Sequence, residues 1–256
     1  QVASRNGSSG MKQLGITVLV LGVLSYAAWH IVYPTRTVNF RMTYEVETPE
    51  GLKTGSGVLA ATWGAQPEIN GRNAWASTKG EAIVVDLGKR GTFYALLSTP
   101  SQPGGGGQVG MLIDVFGLRA ATDKHDASSV HNFAAVSGRR DVRYDQPWPV
   151  VPEAHRTMAS ILPILVRFKD ETDPRTVEAV DPLNLSASFG AGVRLGRVII
   201  EITKEPVTSG IQKRLSWLGR YPEPYLDPDN PKLVEAVASA PLKRLLRHGY
   251  FRSYAP

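Results

Sequence analysis

The sequence predicts an α+β protein: an N-terminal transmembrane helix, then antiparallel β-hairpins, then C-terminal helices. Three observations carry the prediction. Residues 14–33 form an unbroken apolar run. Directly after it, apolar and polar side chains alternate with period two, the mark of a strand with one buried face. The second half is punctuated by acid–proline and glycine signals that start and stop helices. Strands first and helices later belong to the α+β class.

The apolar run, LGITVLVLGVLSYAAWHIVY, extends from Leu14 to Tyr33 and holds one ionisable side chain, His30. As a helix it is about 30 Å long, the thickness of a bilayer core. Trp29, His30 and Tyr33 gather at its far end, where amphipathic rings favour the membrane–water interface. Pro34 stops the helix. A cleaved signal peptide would start at Met11-Lys12 and be cut at the small-x-small site Ser25-Tyr26-Ala27, but the apolar run continues past that site. A buried helix of a soluble protein would carry a polar stripe, and this segment is apolar all round. The expectation is an uncleaved anchor over residues 14–33, with the lipid bilayer as its partner. Arg5 and Lys12 precede it, and Arg36, Arg41 and Lys53 come after it, so charge does not favour a translocated C-terminal domain. The shortness of the tail at 1–13 argues the other way, for a domain outside the cytoplasm. The first ten residues, before Met11, read as a cloning scar or an over-extended reading frame rather than as part of the fold.

Residues 37–256 form the expected domain. Val38, Phe40, Met42, Tyr44 and Val46 make the apolar face of the first strand, with Arg41, Thr43 and Glu45 expected in solvent. Thr48-Pro49-Glu50-Gly51 is a turn, and Leu52–Trp63 is the returning strand. A second hairpin joins Glu81–Leu87 to Thr92–Ser98 through Gly88-Lys89-Arg90-Gly91. Its run Ala82–Val85 is apolar on both faces, which predicts a central strand. Residues 98–110, STPSQPGGGGQVG, read as a glycine-rich loop, with a strand next over Met111–Phe116. Asp126 is placed to cap a helix over Ala127–Val136 that Gly138 closes. Arg139–Pro152 reads as loop and Ile161–Phe168 as a strand. Asp173-Pro174 and Asp181-Pro182 each start a helical turn, with Gly190 as a C-cap. Arg197–Thr203 is a strand. Ser209-Gly210-Ile211-Gln212 reads as a capping box for a helix that buries Ile211, Leu215 and Leu218 and stops at Gly219. Further helices are expected from Asn230-Pro231 and around Leu242, Leu245 and Leu246.

The chain has no cysteine, which removes disulfide frameworks, thiolate metal sites and cysteine nucleophiles. A net charge of +6 over 256 residues is too small to argue for a polyanionic partner. Lys53-Thr54-Gly55 matches one motif of penicillin-binding enzymes, but the serine three residues before a lysine occurs only as Ser9–Lys12, ahead of the membrane segment, so a hairpin strand is the better reading. Ser56 lacks the G-x-S-x-G elbow, and Gly104–Gly107 lacks a subsequent Gly-Lys-Ser/Thr. Asp123, His125, Asp126 and His131 are a weak metal pattern, because the two histidines fall on different helix faces. Asp227, Asp229 and Asn230 lack the glycine and distal glutamate of a calcium loop. No cofactor or metal is expected. Trp63, Trp75, Trp148 and Trp217 are scattered without interleaved cations, so core packing is expected and nucleic acid is not. The best functional candidate is the C-terminal stretch from Leu242 to Tyr254, where Lys243, Arg244, Arg247 and Arg252 stand among Leu245, Leu246, Tyr250 and Phe251 with no acid. Such a helix suits an anionic surface or a protein partner; the competing reading is a terminal helix packed on the domain.

The stretches TYEVETPEGLKTGSGV (43–58), FKDETDPRTVEAVDP (168–182), FGAGVRL (189–195) and EITKEPVTSGIQKRLSWL (201–218) resemble a set of uncharacterised bacterial membrane-anchored proteins. No activity is established for that set, so it implies no catalytic or cofactor residue. It implies a bacterial envelope protein and nothing sharper; the anchor and the short tail before it add the expectation of the inner membrane, with the domain in the periplasm. The functional expectation is an interaction or accessory subunit of an envelope assembly, with a protein partner. The alternative is an extracytoplasmic hydrolase or carbohydrate-active enzyme, built on Asp170, Glu171 and Asp173 and a distant His131 or His155.

Overall fold

The computed structural model describes residues 7–69, 72–101, 106–118, 127–147, 157–219 and 251. Helix α1 (Gly7–Val32) carries the apolar run. Its segment Lys12–Val32 is long and apolar enough to cross a membrane, and none of it is buried against the protein. Tyr33 N–H donates to the Trp29 carbonyl at 2.8 Å, Pro34 ends the helix, and strand β1 (Thr35–Thr48) begins at once.

β1 is the spine of a five-stranded antiparallel sheet. It pairs on one side with β2 (Gly51–Ile69), which pairs in turn with β3 (Arg72–Lys79). On the other side lie β9 (Arg194–Ile202) and the edge strand β6 (Arg139–Val142). A second antiparallel sheet runs in the order β4 (Ile83–Asp86), β5 (Thr92–Ala95), β7 (Leu165–Phe168), β8 (Val177–Val180). The fold is α+β, with antiparallel sheets and a few short helices.

Alternation in β1 sorts its side chains as the sequence predicts. Val38, Phe40, Met42, Tyr44 and Val46 are all buried. Arg41, Thr43 and Glu45 are half-buried rather than exposed. The segment 203–208 accounts for part of this. It leaves β9, crosses the outer face of β1 and reaches β2, with Thr203 N–H on the Asn39 carbonyl (2.9 Å), Asn39 Nδ2 on the Glu205 carbonyl (2.9 Å) and Thr208 N–H on the Val58 carbonyl (3.0 Å). Arg41 pairs with Glu205 on the same strap.

The second sheet lies against the inner face of the first at the end far from the anchor. Two glycines make the approach possible. A Cβ on Gly55 would overlap the Val84 carbonyl and stand 2.8 Å from Val85 Cα, and one on Gly57 would stand 3.1 Å from Ile83 Cγ1. Ile83, Val85, Phe93, Ala95 and Leu165 therefore share one core with β1, β2 and β9. The other face of this sheet, with Tyr94, Leu96, Val166 and Phe168, is covered by Ile211, Leu215, Trp217, Leu218 and Phe251. Near the anchor, helices α2 (Gly107–Val115) and α3 (Ala127–Ala134) cover the inner face instead, and Trp63 meets Phe133 edge-to-face at 5.7 Å. A one-turn-plus helix, α4 (Leu185–Phe189), completes the described α-helices.

Several expectations are corrected. β4 is an edge strand, not a central one: Ala82–Val85 is apolar on both faces because its sheet is covered on both faces, not because it has two neighbours. Met111–Phe116 is not a strand, and α2 begins inside the stretch read as loop. Val109 and Leu112, three apart, are buried, and bare Gly106 lets the chain enter the helix close to β3, where an added Cβ would stand 3.3 Å from Ala76 Cβ. Arg139–Val142 is strand rather than loop, with the charge typical of a solvent-facing edge. The turn at Pro174–Thr176 runs straight into the unpredicted strand β8. Asp181-Pro182 makes a turn, and α4 starts later, with Asn184 as its N-cap. Ser209 does not cap: Gly210 precedes the 3₁₀ turn Ile211–Lys213, and Ile211 N–H donates to Glu81 Oε2 at 2.7 Å. The capping of α3 by Asp126 and the helices after Asn230 and around Leu242 lie outside the described residues.

Candidate functional site

At the end of β1 farthest from the anchor the sheet register slips. Glu45 faces Arg197 while Val46 faces Leu195, so Gly196 is the extra residue of a β-bulge. A Cβ at Gly196 would press on the Glu45 carbonyl at 3.3 Å. The bulge turns the side chains around it outward, and a cleft of about 170 Å³ opens there. Arg143, Arg194 and Arg197 edge it, Asp145 stands beside Arg143, and Leu183 and Leu195 supply apolar surface.

Each arginine is held by a carboxylate. Arg194 pairs with Glu47 at 2.6 Å, Arg143 with Asp145 at 2.6 Å, and Arg197 with both Glu45 and Asp141 at 2.7 Å. Arg139 adds a second cation to Asp141 at 2.9 Å. The Arg139 guanidinium holds the Asp141 carboxyl below its ordinary range, and Arg143 does the same for Asp145. Arg197 is the best supported of the three cations, since hydrogen bonds to Glu45 and Asp141 fix its guanidinium plane. Arg194 is the most available, with 78% of its side chain exposed. Leu183 is also exposed, at 60%. The cleft thus sets guanidinium groups, each already paired with a carboxylate, next to apolar surface.

The sequence hid this site in Arg194-Leu195-Gly196-Arg197, because the expected strand began only at Arg197. A glycine inside a strand pattern was the available signal for the bulge. The arginines come together from 143 and 194–197, which no local spacing reveals.

The other candidate residues are distributed over the whole chain. Trp29 and His30 are exposed on α1, while Tyr33 is half-buried and packs on the core. Trp29 and Tyr33 have ring centroids 4.7 Å apart, and Tyr26 and His30 4.4 Å. Lys243, Arg244, Arg247 and Arg252 lie outside the described residues, as do Asp123, His125, Asp126, Trp148, His155, Asp227, Asp229 and Asn230. Phe251 is described: it is fully buried, and its carbonyl accepts from Ala82 N–H at 2.7 Å. His131 is exposed on α3. Asp170 shapes its own turn through Thr172. Glu171 accepts from Tyr94 Oη at 2.7 Å and pairs with Arg214 at 2.8 Å, which reaches Asp86 at 3.1 Å. This cluster locks the segment 211–219 onto the second sheet, and Trp217 Nε1 adds a bond to the Glu171 carbonyl at 3.0 Å. Among the described residues no group of three histidines, aspartates or glutamates is placed to hold a metal ion. Lys53-Thr54-Gly55 lies in β2, with Gly55 serving the sheet contact. Trp63 and Trp217 are buried as expected, but Trp75 is 40% exposed and is not a core residue.

Comparison of this chain with protein families, with curated proteins and with solved structures finds no significant match.

Proposed function

We propose that the protein is a membrane-anchored interaction or accessory subunit that presents the arginine-edged cleft to a protein partner away from the bilayer. The observation that supports this reading is the continuity of β1. The strand starts at Thr35, directly after the apolar helix and Pro34, and runs unbroken to the bulge at the cleft. Thr35 and Val46 are eleven residue steps apart, which at about 3.3 Å each gives about 36 Å. Tyr33 packs on the domain core and Ala65 N–H donates to the Pro34 carbonyl at 2.9 Å, so the strand is not hung on a flexible linker. The geometry is that of a short stalk with a recognition surface at its tip. Exposed Leu183, rimmed by paired arginines and carboxylates, favours a partner segment with an apolar side chain between polar neighbours. In this reading the assembly belongs to a bacterial envelope, and the apolar helix and the short tail before it favour an inner-membrane anchor with the domain in the periplasm.

A photo-crosslinking residue at Leu183 in the full-length, membrane-bound chain tests the proposal. A discrete protein adduct is expected, lost on Arg194→Glu while the melting temperature is retained, and absent when the crosslinker is moved to Thr62 in β2 near the anchor. Identical adducts from both positions, or an adduct indifferent to Arg194→Glu, overturn the cleft as the contact surface.

A further inference from the structure

We propose that the partner segment enters the cleft as an extended strand and adds to the edge of β9 at Leu195, bonding to the main-chain N–H and carbonyl of that residue. The inference rests on the cleft being the partner surface and states how the partner is held there.

The edge is open because β6 stops short. β6 pairs with β9 from Arg139–Glu201 to Val142–Val198, and there the ladder ends. β9 itself continues to Arg194, and from Arg197 to that end it is paired with β1 alone. The chain after Val142 is committed elsewhere. Tyr144 is buried, its hydroxyl donates to the Pro163 carbonyl at 2.7 Å, and its own carbonyl accepts from Ala159 N–H at 3.0 Å. Pro147 then bridges Thr157. Residues 143–145 therefore wall the cleft instead of extending β6, and they cannot swing onto β9 without unburying Tyr144.

The ladder bonds decide which groups face the gap. Ile202 N–H donates to the Gly138 carbonyl at 3.0 Å, and Thr203 N–H donates to the Asn39 carbonyl at 2.9 Å. Even-numbered residues of β9 thus turn their main chain to β6, and odd-numbered residues turn theirs to β1. The extra residue Gly196 inverts the order. Arg194 then bonds toward Glu47 on β1, and the N–H and carbonyl of Leu195 turn to the side that β6 has left. Among the described residues none bonds to either group. At the next position that faces this side, the Val193 carbonyl accepts from Ser186 Oγ at 2.8 Å, so the open edge is short.

Size and pattern select the occupant. One turn of helix, about 10 Å across and about 5.4 Å long, needs more than twice the cleft's volume of about 170 Å³, whereas an extended chain lies at strand spacing. Paired residues share a face, so the partner residue opposite Leu195 points to the side on which Leu195 packs against the core, and an apolar side chain suits it. The residues before and after it share the outer face with Arg194 and Arg197 and their carboxylates, and polar side chains suit them. The edge of β6 carries Arg139, Arg140 and Asp141, charges that discourage strand addition; Leu195 and Gly196 carry none. Main-chain bonds at Leu195 hold the segment, and its alternation of side chains gives specificity.

Hydrogen exchange at the Leu195 amide tests the inference. It is read by mass spectrometry with electron-transfer fragmentation on the full-length chain, free and as the adduct isolated after photo-crosslinking from position 183. In the free chain the amide at 195 is expected to exchange severalfold faster than those at Val198 and Ile200, which β6 holds. In the adduct it is expected to slow severalfold. A discrete adduct whose Leu195 amide still exchanges fast overturns strand addition and leaves the cleft as the contact surface. Slow exchange at 195 in the free chain also overturns it, because the edge is then already closed. Failure to form any discrete adduct overturns the cleft reading and this inference together. The chain has no cysteine, so Leu183→Cys can carry a photoreactive maleimide in a second chain with a backbone ester at 195. The ester removes the N–H and keeps the side chain, and it should lower the adduct yield severalfold at unchanged melting. An undiminished yield overturns the bond to Leu195.

Discussion

Gly55 shows how far a single residue's role depends on what lies opposite it. Lys53-Thr54-Gly55 matches a catalytic motif in sequence but reads better as strand, and nothing local says why glycines stand at 55 and 57. In the protein they are the bare inner surface of β2, on which the backbone of β4 rests. Gly55→Ala should separate the sheets and destabilise the domain toward the upper end of the usual overpacking range, about 1–3 kcal/mol, in urea unfolding. Ser56 points to solvent between them, and Ser56→Ala should stay within about 0.5 kcal/mol of the parent. A large loss at Ser56 with none at Gly55 would contradict the packing explanation. At this scale Phe40, Met42 and Tyr44 were legible, because alternation alone decides which face they take. Gly57 and Gly196 were not, because a glycine's reason lies in the neighbour that needs the space.

Among elements, the turn between β1 and β2 is fastened to the turn between β4 and β5. Glu50 accepts two hydrogen bonds from Arg90, each at 2.8 Å, and Arg90 also reaches the Phe189 carbonyl at 3.1 Å. The hydrogen bonds from Arg90 pull the Glu50 carboxyl down to about 2 from an ordinary 4.5. A depressed carboxyl stabilises the fold above its unfolded value, and the contribution is lost as pH falls through the folded one. Glu178 is lowered in the same sense by Lys169 and then Arg167. Melting temperature should therefore hold from neutral pH to about 4.5 and drop between there and about 2. Glu50→Gln should flatten that drop and change little at pH 7, since the Glu50 side chain is 56% exposed. A steeper acid transition in Glu50→Gln would refute the assignment. Elements with a long, clean period, α1 and β1, were legible. α2 and β6 were not: the first is short and begins in glycines, and the second is a four-residue charged edge whose strand state comes from pairing with β9.

The whole molecule is organised along β1, with the apolar helix at one end and the bulged cleft at the other. The second sheet and the helices α2 and α3 divide the inner face of that spine between its far and near halves. If the domain is periplasmic, a reporter fused after Pro256 should be active only when it is of a kind that works outside the cytoplasm. Activity of a cytoplasm-only reporter at that position would reverse the orientation and place the cleft on the other side of the membrane, with the fold unchanged.

Local pattern determined the apolar span, its stop at Pro34, the buried face of β1, the hairpins β1–β2 and β4–β5 and the α+β class, but not strand β3. It did so because a helix or strand declares its period and its apolar face within a few residues. Tertiary structure alone decided which strand is an edge, which glycines are contact surfaces, why Trp75 lies outside the core, and that Arg197 meets Glu45 across a sequence separation of 152 residues. Periodicity tells a side chain which face to take but not what it will face, and register between distant strands is settled only when the whole sheet closes on its core.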